Sequence, residues 1–261
     1  MKYYIAIISF LTLVIFTQTS CEKVIDIDLN ESDVKYVVEG VVNKDSLIHT
    51  VKITKTQKFD EATNFPTVDN ALVTITDNLG NSTTLTFISN GIYQTSNYLG
   101  VEGRIYTISV TVDGKSFSAS STMPYNIPID SLTLEEFSFG PTPVSYLIAN
   151  RIDSAGIKNY YNFNLFKNGD LISGIFLQDD QFADGVEILQ PIFGGDYESG
   201  DTAVLEMMCI DANVYKYFYT LSINAGGTGG AVPANPVSNF GSSCLGYFSA
   251  QTFQRKSIIV L

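Results

Sequence analysis

The sequence predicts a mainly β protein: an Ig-like β-sandwich followed by a second β-rich lobe that carries one short helix. Three observations predict it. The chain is rich in Thr, Val, Ile, Tyr and Phe and is punctuated by 20 glycines, the composition of short strands joined by turns. Most of its apolar segments alternate with polar residues at a period of two. Only one segment shifts to the 3.6-residue period of a helix.

After Met1 and Lys2 the run YYIAIISFLTLVIF, residues 3 to 16, carries no charge. A helix of that length, at 1.5 Å per residue, is too short for a hydrocarbon core of roughly 30 Å. It has the length and flanks of the apolar part of a signal peptide. Residues 1–20 are therefore read as a signal, and 21–34, with the acidic EKVIDIDLNE, as a tether. The first lobe spans 35–122. KYVVEGVVN (35–43) is a nearly continuous apolar strand, and LIHTVKITKT (47–56) alternates with Val51 and Ile53 on one face. KFDEATNFPTVDN (58–70) is a long polar loop with Pro66. ALVTITD (71–77) points Ala71, Val73 and Ile75 inward, and STTLTFI points Leu85 and Phe87 inward. Asn90-Gly91 and Asp113-Gly114 mark tight hairpins, since both residues of each pair tolerate positive φ. Between them, RIYTISVTV (104–112) places Tyr106, Ile108, Val110 and Val112 on one face.

MPYNIPID (123–130) lacks a ladder-friendly pattern and is the expected connector to the second lobe, 131–261. SLTLEEF and VSYLIANRI read as strands. KNYYNFNLFKNGDLISGIF reads as a hairpin with Tyr161, Phe163 and Leu165 inward and a turn at KNGD. VLEMMCI (204–210) is a buried strand. Over 211–224 Val214, Phe218 and Leu221 fall at helical spacing, with Asp211 placed as N-cap. AGGTGGAVPANPVSN (225–239) is a long surface loop, and CLGYFSAQT and KSIIVL are two closing strands.

Several stretches resemble known families. Thr19-Ser20-Cys21 after the apolar run resembles the lipobox of bacterial lipoproteins, with Gln18 departing from the usual Leu or Val. The resemblance implies cleavage before Cys21, a lipid on Cys21 and attachment to the outer membrane. NALVTITDNLGNSTTLTFISNGIYQTSNYLGVEGRIYTISV is similar to transthyretin-like, carboxypeptidase-regulatory-like sandwiches of Bacteroidetes surface proteins. From SCEKVIDIDL through PIDSL and NYYNF to PANPVSN and LGYFSA, the mature chain resembles a family of Bacteroidetes outer-membrane lipoproteins of unknown function. That resemblance implies a cell-surface accessory or substrate-binding partner of a TonB-dependent β-barrel transporter, with an unidentified small ligand. Asp45-Ser46-Leu47, Asp130-Ser131-Leu132, Asp153-Ser154-Ala155 and Asp201-Thr202-Ala203 are similar to the Bacteroidetes O-glycosylation pattern, which would modify Ser46, Ser131, Ser154 and Thr202. Asp-Ser also makes ordinary turns.

The residues narrow the chemistry from the other side. Formal charge is -12, and loss of a signal carrying Lys2 leaves it one unit more negative. Such a surface repels polyphosphates, so nucleic acid is not an expected partner. The single histidine, His49, reads as a strand-end residue packed beside Val51. Signatures for serine hydrolysis, zinc proteolysis, thiol redox chemistry and phosphate binding are missing from the sequence, so neither an enzyme nor a cofactor is expected. Acids gather in DDQFADGVE (179–187) and GGDYESGD (194–201). The first would supply Asp179, Asp180 or Asp184 to a carbohydrate-active enzyme, a lesser alternative beside a surface adhesion or structural module. The second offers Asp196, Glu198 and Asp201 as oxygen ligands for calcium, although neither loop has the usual calcium-loop spacing. Cys209 and Cys244 can close a disulfide loop of about thirty-five residues, or both can be buried free thiols.

Overall fold

The strand that closes the chain organises the rest. In the computed structural model, which describes residues 33–57, 65–138, 143–225 and 234–261, β17 runs unbroken from Leu245 to Ile259. The first lobe supplies β1 (Tyr36–Asn43), β2 (Thr50–Lys55), β3 (Leu72–Asp77), β4 (Ser82–Thr84), β5 (Thr86–Ser89), β6 (Ile92–Gln94), β7 (Ile105–Val112) and β8 (Lys115–Thr122). The second supplies β9 (Ser131–Phe137), β10 (Val144–Ile152), β11 (Tyr160–Lys167), β12 (Asp170–Leu171), β13 (Phe176–Asp179), β14 (Glu187–Ile188), β15 (Pro191–Phe193) and β16 (Thr202–Ile210), then helix α1 (Ala212–Ala225).

Nine strands form one sheet in the order β12-β11-β16-β17-β1-β2-β6-β5, with β13 also on β11. Residues 245–251 of β17 pair parallel with β1, and residues 252–259 pair antiparallel with β16. One strand thus belongs to both lobes. Two four-stranded sheets cover this long sheet, β4-β3-β7-β8 over the first lobe and β14-β10-β15 with β9 over the second.

Period-two alternation explains the two cores. Val38, Val42, Val51, Ile53, Val73, Ile75, Tyr106, Ile108 and Phe248 meet in the first, and Leu147, Tyr161, Phe163, Leu165, Leu205 and Met207 in the second. β16 is apolar on both faces for a local reason. Its odd-numbered Met207 and Cys209 enter the second core, whereas Met208 and Ile210 lie beneath α1 with Val214.

The expected turns are present: Asn90, Asp113 and Asn168 all have φ near +50°, each followed by a glycine of positive φ. Asp211 caps α1, accepting the backbone N–H groups of Asn213 and Val214 at 2.9 and 3.0 Å. Two expectations change and one open alternative is decided. Phe87 is exposed rather than inward, because the chain switches sheets at Leu85, β4 pairing with β3 and β5 with β6. CLGYFSAQT and KSIIVL are one strand, not two. Cys209 and Cys244 are free thiols; they cannot bridge as placed, since one is buried in the second core and the other in the first.

Residues 123–130 do run between two cores, yet residues 34–261 form one compact unit. Met123, Ile127 and Ile129 are buried. Gln254 on β17 donates to Asn126 Oδ1 and to the Ile127 carbonyl, and its Oε1 accepts the Ile129 N–H.

The parallel seam depends on Gly246, whose φ is +92° and whose added Cβ would sit 2.1 Å from the Val38 carbonyl oxygen. Gly246→Ala is expected to destabilise the protein by about 3 kcal/mol, the upper end of the cost of a strained backbone position, because the clash with the Val38 carbonyl adds to it. A shift of the urea unfolding midpoint measures it; an unchanged midpoint would mean the seam is looser than described.

Candidate functional site

A groove opens where the two lobes meet. The end of β8, the connector after it, the loop 153–159 ahead of β11 and the first turn of α1 surround it, and it holds about 370 Å³. Met123, Ile127 and Ile157 give it aliphatic walls, Tyr125 and Tyr160 aromatic ones, and Lys158 a cation. Gly103, with φ of +74°, lets Tyr125 lie against the backbone: a Cβ there would approach the Tyr125 hydroxyl to 2.9 Å.

The groove is held open by Asp211, one of its lining residues. One carboxylate oxygen caps α1. The other accepts the Ser121 hydroxyl at 2.5 Å and the Thr122 N–H at 2.9 Å. The Ser121 oxygen in turn accepts the N–H of Ala250 on β17 at 2.9 Å. Helix, β8 and β17 are thereby tied through two side chains, Asp211 and Ser121.

Beyond the groove, aromatic surface continues over α1. The Tyr160 ring lies 4.9 Å from Tyr215, and Tyr215 lies 6.2 Å from Tyr219 with the two planes only 11° apart. Lys158 Nζ sits 6.0 Å from the Tyr160 centroid. Burial, followed by the neighbouring Asp179 carboxylate, pushes the Tyr215 hydroxyl above its ordinary value. On the inner side of the helix Tyr217 and Phe218 pack on Tyr247 of β17. The i, i+4 spacing of Tyr215 and Tyr219 is visible in the sequence; their junction with Tyr160 is not, because it comes from a strand about fifty residues earlier.

The other expected residues fall elsewhere. Cys21 and residues 58–64 and 226–233 of the two long loops lie outside the described residues. Asp196 and Glu198 are exposed, and Asp201 is occupied. Its carboxylate takes the Glu198 N–H, the Asn168 amide and Lys167 Nζ at 2.9 Å, and these hold its pKa down to about 2. It closes a turn in the loop that offers the calcium candidates, and among the described residues no acidic, histidine or cysteine cluster is arranged to hold a metal ion. Asp179, Asp180 and Asp184 each accept a backbone N–H, from Gln181, Asn159 and Gly156. Of the four hydroxyls in Asp-Ser or Asp-Thr pairs, Ser131 and Thr202 are exposed, and Ser46 and Ser154 are half-buried.

His49 is buried, and both ring nitrogens are engaged. Nε2 donates to the Tyr98 carbonyl at 2.6 Å, and Nδ1 accepts the Asn43 N–H at 3.3 Å. Both contacts select the neutral ring. Burial lowers its pKa from the usual 6.5, partly opposed by the Tyr98 carbonyl.

The profile of a family described as Domain of unknown function (DUF4249) matches residues 22–257. Among curated proteins no match is found. The crystal structure of a DUF4785 family protein from Legionella pneumophila is similar over 67% of this chain and 52% of its own, at 12% identity and a TM-score of 0.25. The chain thus spans about half the length of that protein.

Two outcomes follow from these contacts. Asp211→Ala is expected to cost about 2 to 3 kcal/mol, a lost helix cap plus unpaired Ser121 and Thr122 donors, and Asp211→Asn to recover the cap portion; urea unfolding of the pair checks this. For His49 the folded state disfavours the proton, so its stabilising contribution is present above pH 6.5 and is lost as pH falls below it. The drop in Tm from pH 7.5 to 5.5 should therefore be smaller in His49→Gln than in the parent protein.

Proposed function

The chain belongs to the DUF4249 family, and from that premise we propose that it is a non-enzymatic, lipid-anchored binding protein of the outer membrane. It serves there as an accessory or substrate-binding partner of a TonB-dependent β-barrel transporter. One observation carries the anchoring: an uncharged apolar run of membrane-signal length, residues 3–16, is followed at once by Thr19-Ser20-Cys21. Acyl chains on Cys21 would supply membrane affinity that an acidic surface cannot obtain from anionic lipid. Among the described residues no helix is long and apolar enough to cross a membrane.

The binding role is supported by the groove at the junction of the lobes, which is mostly apolar with a few polar groups converging on it, the usual make-up of a ligand site. A non-enzymatic reading is supported by the engagement of the chain's single histidine through both ring nitrogens. Asp179, Asp180 and Asp184, each bonded to a backbone N–H, support the same reading.

Radioactive palmitate fed to cells expressing the full chain is expected to label the parent protein and not Cys21→Ala. Retained label in that variant would end the anchoring proposal. Purification from detergent-solubilised membranes is expected to recover a β-barrel transporter; its repeated absence would end the accessory role.

A further inference from the structure

We propose that the groove and the row Tyr160–Tyr215–Tyr219 form one binding site for a neutral oligosaccharide, an inference that rests on the binding role above and names its ligand class. Three observations meet at this place. The groove's volume, about 370 Å³, falls within the roughly 300–1,000 Å³ of small-ligand sites, room for a terminal sugar unit. Tyr160 is both part of its lining and the first ring of the aromatic row. The row then advances over α1 in steps of 4.9 and 6.2 Å, each comparable to one sugar ring.

Tyr160 and Tyr215 rest partly on the small core beneath the helix, while the outer rings stand clear of it. Tyr219 is 50% exposed and Tyr125, at the groove, 63%, whereas the helix packs inward through Val214, Tyr217 and Phe218. Large aromatic rings that remain in water next to a groove offer apolar faces with a polar tip. A pyranose has the matching character, with an apolar C–H face and hydroxyls at its edge.

Charge decides between ligand classes. Net charge is -12, Asp179 stands beside Tyr215, and Asp180 and Asp184 share a neighbouring depression with Lys158. An anionic ligand would be repelled. A purely apolar ligand would remove water from Lys158 and replace none of its hydrogen bonds, at a cost in free energy. Asn159, another lining residue, keeps a buried Oδ1 without a partner, and a hydroxyl-rich ligand brings donors to such an acceptor. A cation would meet Lys158 at the groove itself, so a neutral, polyhydroxylated and flat-faced ligand fits these observations best.

The chain has no tryptophan, so its intrinsic fluorescence reports tyrosine alone. The detergent-solubilised full chain would be titrated by fluorescence and calorimetry with neutral hexasaccharides of α- and β-linked glucose, xylose and mannose. Oligogalacturonate and a mixed peptide pool serve as the acidic and polypeptide comparisons. Saturable binding of at least one neutral glycan is expected, weakened about tenfold or more by Tyr215→Ala and by Tyr219→Ala and unchanged by Tyr146→Ala, whose ring packs on Phe193 and does not line the groove. Because Tyr219 is half exposed, its variant should keep the parent unfolding midpoint. The proposal is overturned if no neutral glycan saturates, if only the acidic glycan or the peptides bind, or if Tyr219→Ala binds the neutral glycan as the parent does. Palmitate labelling and transporter recovery are read independently, so failure here leaves the anchoring and accessory proposals to their own tests.

Discussion

The double pairing of β17 is the constraint on which the rest of the structure depends. Its first half completes the first lobe by parallel pairing with β1, and its second half completes the other by antiparallel pairing with β16. A strand can change partners midway only if both registers are fixed together, because a one-residue slip would turn every side chain to the opposite face. Phe248 and Ala250 would leave the first core, and Tyr247 would leave the helix. Side chains also complete the strand's other edge: Asn239 bonds Phe248 through both its amide nitrogen and its oxygen, and Ser121 takes the Ala250 N–H. These bonds satisfy backbone groups that would otherwise be buried without partners.

A shared strand has a consequence for function. Two sandwiches joined only by a flexible connector would move relative to one another, and a groove at their junction would open and close with that motion. Here the connector is bonded to Gln254, β8 to Asp211, and Asp211 to the helix. The walls of the groove are consequently parts of one continuous hydrogen-bonded framework. Binding to such a site need not bear a large ordering entropy, which favours recognition of weakly held, flexible ligands.

What could be read in the sequence was local, and what could not was long-range. Alternation placed Val51, Ile53, Tyr106, Ile108, Tyr161 and Phe163 correctly, because the period of a strand is written in its own residues. Asn90-Gly91, Asp113-Gly114 and the Asp211 cap are equally local. Phe87 failed because a strand that changes sheets keeps its alternation while its surroundings reverse. β17 reads as two strands because Gln251, Thr252 and Gln254 interrupt the apolar pattern just where it changes partners. Its pairing with β1, some two hundred residues earlier, leaves no local mark at all. The same limit hid the groove: Lys158 and Tyr160, Met123 and Asp211 come from three separate parts of the chain.

The second core makes a related point about polarity. Arg151 is fully buried. Its guanidinium donates to the Ala149 carbonyl and to Gln178 Oε1, lies 4.2 Å from the Tyr161 ring centroid, and leaves Nε without a partner. Among the described residues no carboxylate forms an ion pair with it within 4.0 Å. Desolvation lowers its pKa, opposed by Tyr161 and more weakly by Asp153. A buried charge held this way adds little net stability compared with a well-packed apolar side chain. It does restrict the alternatives: Gln178 must face β10 from β13, and Tyr161 must present its ring, or the charge is stranded. Those demands fix how the smaller sheet sits on β11. β11 begins at Tyr160, so the same arrangement sets where the groove's aromatic row starts.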